Sequence, residues 1–553
     1  MARHCLLGLV IYRLSFCAQR RTCCLWAVAA LSRGESLRRR SPPYNHYLNL
    51  LIEKLIYGGD GLARLPAESG ADTPVRGSQS KGKAVFVPFT LEGESVAATL
   101  TEQKPGFARA QLDEVLTPSR NRIAPHCPYF QRCGGCHYQH TSYEHQLAIK
   151  RGILKETLRR QGKVELTNDV IVHPSEPWHY RNRTRFQVRT APEFLAGYFR
   201  FSSHEVLAVE DCPISSPLIN RALKALWQLG RAAQAPGELR EIEFFANADD
   251  TRLLAELWFT AETPAERRIA LGKKFTNRLR DDVPDLTSAY VFAQAPIRGS
   301  RVPAEPAPDW ALGGGQFRYL VGATEFRVSG GSFFQVNRFM LGKLVELVTA
   351  GVQRFERKDL ALDLYAGVGL FTAALAPSFR HIVSVESSQC SAADLKYNCP
   401  ANGKIVRAMV EEYLTGQVSQ PAGQPGANER NRGVRRQQQG RKRQGAQLQE
   451  GQFRQDKLRQ GRTQTAKAHP PLIASPAVDF VLVDPPRAGL GDRVAQALAE
   501  SSAPRIAYVS CDPATLARDL MHLTAGGYHV EQVHLVDLFP QTFHLESVVH
   551  LVR

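Results

Sequence analysis

A cysteine and a glutamate close to the C-terminus have the side chains for covalent and acid–base chemistry. Cys511 follows the apolar run 506–509, and Glu546 follows a second apolar run, 530–539, which closes on a proline. Open α/β sheets bind their ligands at the carboxyl ends of the strands, where Cys511 is expected to lie. A thiol and a carboxylate held at one sheet edge can attack an electrophilic carbon and move a proton. The alternative is a small buried thiol in a loop, the usual place of a free cysteine.

The segment that follows residue 360 has the pattern of a cofactor-binding turn. A buried strand, 360–365, runs into Gly367 and Gly369, which let the backbone turn tightly and approach a nucleoside. The next predicted strand, 381–385, ends at Glu386, which is placed to hold ribose hydroxyls. This pattern predicts a nucleoside-containing cofactor.

Two further features favour S-adenosylmethionine over a dinucleotide. Thr372 stands where dinucleotide-binding proteins have a third glycine, so a cofactor without a pyrophosphate is favoured. Tyr365 could offer its ring face to a sulfonium cation. A later buried strand ends in Asp484-Pro485-Pro486-Arg487, which is typical of methyltransferases that hold a planar base or amide beside the sulfonium. The alternative for that motif is a rigid turn capped by Asp484.

Three closely spaced cysteines predict a metal or iron–sulfur site. Cys127, Cys133 and Cys136 are separated by five and by two residues. Thiols this close together in a reducing compartment are rarely only structural. The fourth ligand must come from elsewhere, and Cys212 is the remaining cysteine of this region. The spacing by itself does not separate zinc from an iron–sulfur cluster.

The formal net charge of +17 is concentrated in two segments. Residues 1–45 carry eight Arg against one acidic residue, and residues 415–475 carry twelve Lys and Arg against three. The rest of the chain is close to neutral, so RNA would have to meet local basic patches. The second segment is rich in Gln, Arg and Gly and is expected to be a disordered insertion. The first is interpreted as a start codon assigned too far upstream, with a targeting segment as the alternative.

Length and composition indicate a multidomain protein of the cytoplasm. A chain of 553 residues is too long for one core. Its eleven cysteines are odd in number and unevenly placed, which argues against a disulfide scaffold and for a reducing compartment. No run approaches the roughly 20 apolar residues of a membrane span.

The order of the predicted elements divides the chain. Short strands punctuated by glycine near the N-terminus predict a small barrel of the OB type. A long helix is expected over 143–160, and mixed strands and helices follow it. Alternating strands and helices in the last third imply a parallel sheet. The expected parts are a basic extension (1–46), the barrel (47–118), a central domain with the cysteine site (119–329) and the sheet domain with its insertion (330–553).

Taken in order, these motifs resemble the bacterial RNA uracil-5 methyltransferase family, in particular its ribosomal RNA branch. The resemblance covers roughly residues 48–553 without the insertion. Six elements carry it: the cysteine cluster with Gln139-His140, Ser332-Phe333-Phe334-Gln335-Val336-Asn337, 363–371, Asp484-Pro485-Pro486-Arg487, Ser510-Cys511-Asp512-Pro513, and 539–546. The glycine-rich turn 58–61 is similar to the start of the family's TRAM domain, an OB-like RNA-binding barrel. One departure is Asp512, where family members often have Asn.

The resemblance implies a fold, two cofactors and a set of site residues. The fold would be a Rossmann-like class I methyltransferase domain of the α/β class, preceded by the TRAM barrel and a central α+β domain. A 4Fe–4S cluster would be held by Cys127, Cys133, Cys136 and Cys212. S-adenosylmethionine would be contacted by Gln335, Tyr365, Glu386 and Asp484. Cys511 would be the nucleophile and Glu546 the base.

The expected reaction is methylation of carbon 5 of a uridine in 23S ribosomal RNA. It would pass through a covalent adduct of Cys511 at ring carbon 6, and the base would have to be flipped out of its stack. The enzyme is expected to act as a monomer. The alternatives are the same reaction on transfer RNA, a non-catalytic iron–sulfur RNA-binding protein, and a redox iron–sulfur protein. Intact Cys511 and Glu546 argue against the non-catalytic protein, and one cluster without a second electron carrier argues against the redox protein.

Overall fold

The computed structural model describes residues 47–65, 82–294, 307–313, 317–416 and 478–553. The expected basic extension 1–46 lies outside the described residues, and so does the expected insertion 415–475 beyond Gly416. From Asn49 onward the described residues belong to one compact unit. None of the described helices combines the length and the apolar composition needed to cross a membrane.

The N-terminal strands form a six-stranded sheet with the order β1-β5-β6-β4-β3-β2. Residues of alternating burial, such as Val85 and Val87, place one face of the sheet in a core. Gly58 and Gly59 make the turn before β3 with φ angles of 109° and 93°, which other residues rarely adopt. The strands are β1 (Tyr47–Leu51), β2 (Lys54–Leu55), β3 (Asp60–Arg64), β4 (Ala84–Pro88), β5 (Ser95–Gln103) and β6 (Phe107–Thr117).

The long helix predicted over 143–160 is confirmed as α1 (Tyr143–Arg160). The Ser142 side chain accepts a hydrogen bond from the His145 amide and so caps the helix at its start. Its apolar side chains, among them Leu154 and Leu158, pack into the core of the C-terminal sheet. Helix α1 is followed by the short strand β7 (Ile171–His173).

The central region contains a seven-stranded mixed sheet with the order β10-β9-β8-β11-β12-β13-β14. Two helices, α2 (Pro217–Arg231) and α3 (Ala265–Asp282), accompany it. The strands are β8 (Arg183–Arg189), β9 (Leu195–Phe199), β10 (Val206–Ala208), β11 (Leu239–Ala246), β12 (Leu253–Phe259), β13 (Leu286–Ala293) and β14 (Trp310–Leu312). A separate hairpin, β15 (Phe317–Val321) with β16 (Thr324–Val328), leads into the C-terminal region.

The C-terminal region alternates strands and helices as predicted. The helices are α4 (Leu341–Val348), α5 (Leu370–Leu375), α6 (Gln389–Asn398), α7 (Val410–Leu414), α8 (Asp492–Ala499) and α9 (Pro513–Ala525). The strands are β17 (Leu360–Leu364), β18 (His381–Val385), β19 (Gly403–Val406), β20 (Phe480–Val483), β21 (Arg505–Ser510), β22 (His529–Val536) and β23 (Glu546–Val552).

These strands form an eight-stranded sheet with the order β19-β18-β17-β20-β21-β23-β22-β7. The first five strands in this order are parallel, whereas β23 runs antiparallel to both of its neighbours. The edge strand β7 pairs in parallel with β22 and comes from outside the range 330–553 that the sequence predicts for this sheet. Strand β22 ends at Val536, earlier than the apolar run to residue 539 indicates, and the side chain of the next residue, Asp537, is bound by Lys150 of α1.

Candidate active site

Cys511 and Glu546 lie next to each other at one edge of the C-terminal sheet. Cys511 follows the last residue of β21, and Glu546 is the first residue of β23. Because these two strands are antiparallel, with Ser510 opposite Ser547, the end of one strand meets the start of the other. The sequence places the two residues at a common sheet edge, and the structure brings them together there.

The surroundings of this pair disfavour negative charge. Burial raises the pKa of Glu546 well above its usual range, and the charge of Asp484 raises it further. Burial also raises the pKa of the Cys511 thiol to about 12, and the charge of Glu546 is the next cause. The Arg487 guanidinium acts in the opposite direction on both groups. Burial therefore disfavours the thiolate, and a cation bound nearby would favour it.

Helix α9 fixes the position of Cys511. Asp512 caps this helix, since its Oδ1 accepts hydrogen bonds from the amides of Ala514 (3.0 Å) and Thr515 (2.9 Å). Pro513 occupies the first turn, where its missing amide proton costs nothing. Asp and Asn are about equally good helix caps, so Asp512, the departure noted in the sequence, can fill this role. Cys511 directly precedes the N-cap of α9, and the positive end of a helix dipole favours a negative charge nearby.

Three of the predicted cofactor residues follow strand ends that are neighbours in the sheet. Tyr365, Glu386 and Asp484 come directly after Leu364, Val385 and Val483, which are paired in register. The same edge continues through β21 to Cys511 and through β23 to Glu546. The structure therefore brings five of the predicted site residues to one edge of the sheet.

The turn after β17 is built from residues with left-handed backbone. Tyr365, Gly367 and Gly369 have φ angles of 66°, 55° and 95°. Glu386 accepts hydrogen bonds from the Gly367 amide (2.8 Å) and the Ser388 amide (2.6 Å), so its carboxylate supports the turn. A Cβ added at Gly367 would meet nothing within 4 Å, which leaves open space where a ligand can approach the backbone.

A buried carboxylate, Asp363, and a partly buried one, Asp484, lie at this edge. Burial raises the pKa of Asp363 to about 7, and it raises the pKa of Asp484 to about 7 with the charge of Asp363 as a second cause. Asp363 accepts a hydrogen bond from the Thr372 hydroxyl, but its Oδ1 has no hydrogen-bond partner among the described residues. The unpaired Oδ1 of Asp363 can accept a hydrogen bond from a ligand. A positive charge on that ligand would also relieve the repulsion between the Asp363 and Asp484 carboxylates.

A buried carboxylate that sequence reasoning missed holds the Asp484 loop. Asp519 of α9 accepts hydrogen bonds from the Leu490 amide (2.7 Å) and the Tyr508 hydroxyl (2.7 Å). The Arg518 side chain binds the same carboxylate and donates to the Ala488 carbonyl. Asp519 therefore ties the loop after β20 to the helix that follows Cys511. Its helical position carries no sequence signal for this role.

Gln335 is buried in a loop that the central sheet supports. The Asn182 amide donates to the Val336 carbonyl (3.0 Å), and Glu256 accepts a hydrogen bond from the Gly331 amide (2.8 Å). Arg183 joins this network by binding both Glu256 and the Ser332 carbonyl. The hydrogen bonds of the loop thus run to the central sheet and also to Asp394 of α6, and sequence reasoning found neither Arg183 nor Glu256.

The N-terminal sheet reaches the same edge. The Tyr57 hydroxyl lies 3.3 Å from the Cys511 carbonyl oxygen and donates to it. The Tyr57 ring packs edge-on against Phe543, with 5.5 Å between the ring centroids. A residue of the glycine-rich turn of the N-terminal sheet therefore contacts the nucleophile loop and the segment that precedes Glu546.

The four predicted cluster cysteines line one cavity of about 210 Å³. All four are free thiols, and the Gly135 amide lies 3.4 Å from Cys133 Sγ as a donor. Within the part of the chain that the structure describes, no three His, Cys, Asp or Glu side chains stand close enough together to hold one metal ion. The four thiols therefore share one cavity but do not form a preformed single-ion site among the described residues. The sulfurs belong to Cys127, Cys133, Cys136 and Cys212.

Two family models match the chain. A model described as tRNA (Uracil-5-)-methyltransferase matches residues 321–420 and 472–553, and a TRAM domain model matches residues 45–112. The first match contains Gln335, Asp484 and both members of the Cys511–Glu546 pair. The second coincides with most of the six-stranded N-terminal sheet.

Curated relatives align along nearly the whole chain. The 23S rRNA (uracil(1939)-C(5))-methyltransferase RlmD of Chromohalobacter salexigens is 30% identical over 525 residues, which cover 94% of this chain and 92% of its own. An uncharacterized RNA methyltransferase of Aquifex aeolicus is 28% identical and covers 91% and 98%. The solved structure of Pyrococcus abyssi tRNA (uracil-54, C5)-methyltransferase in complex with S-adenosyl-L-homocysteine has the same fold, with a TM-score of 0.60 at 20% identity. That alignment covers 91% of this chain and all of the solved one.

Proposed function

The chain belongs to the S-adenosylmethionine-dependent RNA uracil-5 methyltransferase family, and from this premise we propose that it methylates one uridine of 23S ribosomal RNA at carbon 5. The observation that carries the chemistry is the meeting of Cys511 and Glu546 at the sheet edge that also holds the cofactor turn. Ribosomal RNA is favoured because the relative with 30% identity is named for 23S rRNA and spans nearly the full chain.

The cofactor residues fit S-adenosylmethionine. The open space above Gly367 can admit the nucleoside, and Glu386 stands at the neighbouring strand end, where ribose hydroxyls would be held. The carboxyl groups of Asp363 and Asp484 would attract the positive charges of the donor. The remaining proposed contacts are Tyr365 and Gln335. When bound, S-adenosylmethionine supplies the methyl group for carbon 5.

Cys511 makes carbon 5 reactive. Uracil carbon 5 is a weak nucleophile, so the thiolate first forms a bond from Sγ to ring carbon 6. The electron pair of the 5,6 double bond moves toward the ring carbonyl, and carbon 5 becomes the nucleophilic carbon of an enolate. Burial raises the pKa of Cys511, so the thiolate needs positive charge nearby. In the proposed mechanism the α9 dipole, Arg487 and a bound cation provide it.

Glu546 completes the reaction after the methyl group is in place. Its carboxylate removes the proton from carbon 5, the electron pair restores the 5,6 double bond, and the carbon 6 to Sγ bond breaks. Cys511 leaves as a thiolate, and the product is 5-methyluridine. Because burial raises the pKa of Glu546, its carboxylate is a strong base for this step once it is ionised.

The substrate assignment can be tested against transfer RNA directly. Purified enzyme with S-adenosylmethionine is expected to methylate protein-free 23S ribosomal RNA and to leave transfer RNA from the same cells unmodified. Mass mapping of 5-methyluridine in both RNAs identifies the target, and loss of the same ribosomal mark in a deletion strain confirms it. Methylation of transfer RNA alone would favour the transfer RNA alternative, for which the solved Pyrococcus abyssi enzyme is a precedent.

The cysteine cavity supports a 4Fe–4S cluster as the second cofactor. In a tetrahedral zinc site four sulfurs lie about 3.8 Å apart, as follows from Zn–S bonds of about 2.3 Å. In a 4Fe–4S cluster each cysteine binds a different iron, so the four sulfurs stand further apart around a larger volume. Four thiols that line one cavity of about 210 Å³ are what supports the proposal of a cluster here, together with the resemblance of the cysteine spacing to the ribosomal RNA branch of the family.

Replacement of a cluster cysteine is expected to remove bound iron. Cys133→Ser should lose most of the iron and sulfide and the brown colour of anaerobically purified protein, because a cluster needs its complete set of ligands. Cys399→Ser is the matched control, since Cys399 is a free thiol that does not line the cavity. Iron and sulfide are measured chemically, and thermal unfolding is recorded for both variants. Wild-type protein that contains zinc and no iron would refute the cluster.

A further inference from the structure

The segment from Asp537 to Leu545 connects β22 to Glu546, and its hydrogen bonds run mainly to N-terminal elements. Gln541 is the residue at which two of these elements meet. It has a left-handed backbone with φ of 69°, a conformation that costs a residue other than glycine about 1 kcal/mol or more. Gln541 is also almost completely buried. A strained, buried position persists only when its surroundings determine it strongly.

Helix α1 binds Gln541 through a reciprocal pair of hydrogen bonds. Gln146 Nε2 donates to Gln541 Oε1 (3.0 Å), and the Gln541 amide donates to Gln146 Oε1 (3.0 Å). One turn further along α1, Lys150 Nζ binds Asp537 Oδ1 (2.6 Å) and the Phe539 carbonyl (2.9 Å). Tyr143, one turn earlier, donates to Asp537 Oδ2 (2.9 Å). A polar stripe along α1 therefore holds the segment at both Asp537 and Gln541.

The cysteine-rich segment binds Gln541 from another side. The His137 and Tyr138 amides both donate to the Gln541 carbonyl, at 2.8 and 3.0 Å. The His137 ring also packs against Phe543 with 4.6 Å between centroids. The backbone amide, backbone carbonyl and side-chain carbonyl of Gln541 are thus all bound by residues from 137 to 146.

A short hydrogen-bonded turn connects Gln541 to Glu546, so the position of one restricts the position of the other. The Thr542 hydroxyl donates to the Phe539 carbonyl (2.9 Å) and accepts from the His544 amide (3.2 Å). Leu545 is buried in the C-terminal core, next to the start of β23. Only four residues lie between Gln541 and Glu546, and the hydrogen bonds of the turn restrict their freedom.

We propose that Gln541 is a positioning residue, through which Gln146 of α1 and the 137–138 backbone hold Glu546 where it can take the proton from carbon 5. This inference rests on the proposed function. Cys511 is held mainly by the end of β21 and by the Asp512 cap of α9, while Tyr57 contacts both its carbonyl and Phe543. Loosening Gln541 therefore slows the step that Glu546 performs more than the step that Cys511 performs.

The test separates these two steps in single turnovers on RNA that carries tritium at uridine carbon 5. Adduct formation is followed as denaturation-resistant protein–RNA complex, and proton removal is followed as tritium release. Gln146→Met keeps the side-chain length but removes both hydrogen bonds to Gln541. We expect it to slow tritium release about 10- to 100-fold, the effect of a misplaced catalytic group, and to change adduct formation by less than about threefold.

A second variant removes the same side-chain link and is less prone to misfold. Gln541→Gly suits the left-handed backbone and keeps the bonds of the Gln541 amide and carbonyl, so it should fold. It loses only the side-chain link to Gln146 and should slow tritium release in the same sense. Leu158→Ala, two turns beyond Lys150 in the apolar core, is the control. It lowers the stability of the fold but leaves the hydrogen bonds between Gln146 and Gln541 unchanged.

The outcomes are distinct. Equal tritium-release and adduct rates in wild type, Gln146→Met and Gln541→Gly would overturn the inference while the proposed function stands. If Gln146→Met cannot be purified, Gln541→Gly decides alone. A Leu158→Ala variant that also slows tritium release selectively would show a general effect of stability and would refute the positioning role. If wild type forms neither adduct nor methylated RNA, the proposed function itself has failed.

Discussion

Cys511→Ala is expected to abolish both 5-methyluridine formation and every covalent adduct with RNA. In the proposed mechanism the thiolate makes carbon 5 nucleophilic, so without it no methyl transfer can follow. Removal of the nucleophile from a covalent enzyme costs on the order of 10⁴-fold or more in turnover. Cys511 is only partly buried and caps nothing, so the fold should survive its truncation.

The measurement is methyl transfer from labelled S-adenosylmethionine to ribosomal RNA, together with a denaturing gel for adducts. Cys399→Ala serves as the control for the loss of a thiol elsewhere in the same domain and should retain wild-type turnover. Cofactor binding by Cys511→Ala should also remain, because the cofactor turn is held by Glu386 and not by the thiol. Residual methylation of the native uridine by Cys511→Ala would exclude the covalent mechanism.

Glu546→Gln is expected to trap the reaction rather than prevent it. The variant keeps the nucleophile and the cofactor edge, so the carbon 6 bond and methyl transfer can still occur. Without a carboxylate the proton remains on carbon 5, and Cys511 cannot be expelled. Turnover should fall by about 10² to 10⁴-fold, the usual contribution of a general base. Because burial raises the pKa of Glu546, a neutral amide of similar volume should be tolerated in its place.

The trapped species identifies the step that fails. A denaturing gel should show a slow protein–RNA band, and mass spectrometry of its digest should find a methylated uridine joined to the Cys511 peptide. The double variant Cys511→Ala/Glu546→Gln should lose this band. An adduct that carries no methyl group would place the defect before methyl transfer and would assign Glu546 a different role. Wild-type turnover by Glu546→Gln would remove it from the mechanism altogether.

Local elements followed directly from local residue patterns. Helix α1 and strand β18 have the predicted bounds, because apolar spacing and a capping serine act over a few residues. The cofactor turn after β17 follows from two glycines at positions with left-handed backbone. The common edge for Cys511 and Glu546 was also predictable, since strand ends and the direction of a βα repeat follow from the order of the elements.

Other features depend on residues that are far apart in the sequence. Gln146 and Gln541 are 395 residues apart, and Lys150 and Asp537 are 387 apart. In the sequence Gln146 and Lys150 have the pattern of a solvated helix face, yet both are buried against the segment that precedes Glu546. The β7 strand likewise joins the C-terminal sheet although more than 150 residues separate it from the other strands of that sheet.

The sequence by itself predicted the candidate chemistry of this protein: a thiol, a base, a glycine turn for the methyl donor and four cysteines. It could do so because reactivity belongs to residue types, and because their placement at strand ends depends on neighbouring residues. The tertiary structure alone decided what holds these groups in place, from Tyr57 on the Cys511 loop to Gln541 between α1 and the cysteine segment. Buried polar groups must find hydrogen-bond partners, and which distant residue supplies them is settled only when the whole chain packs.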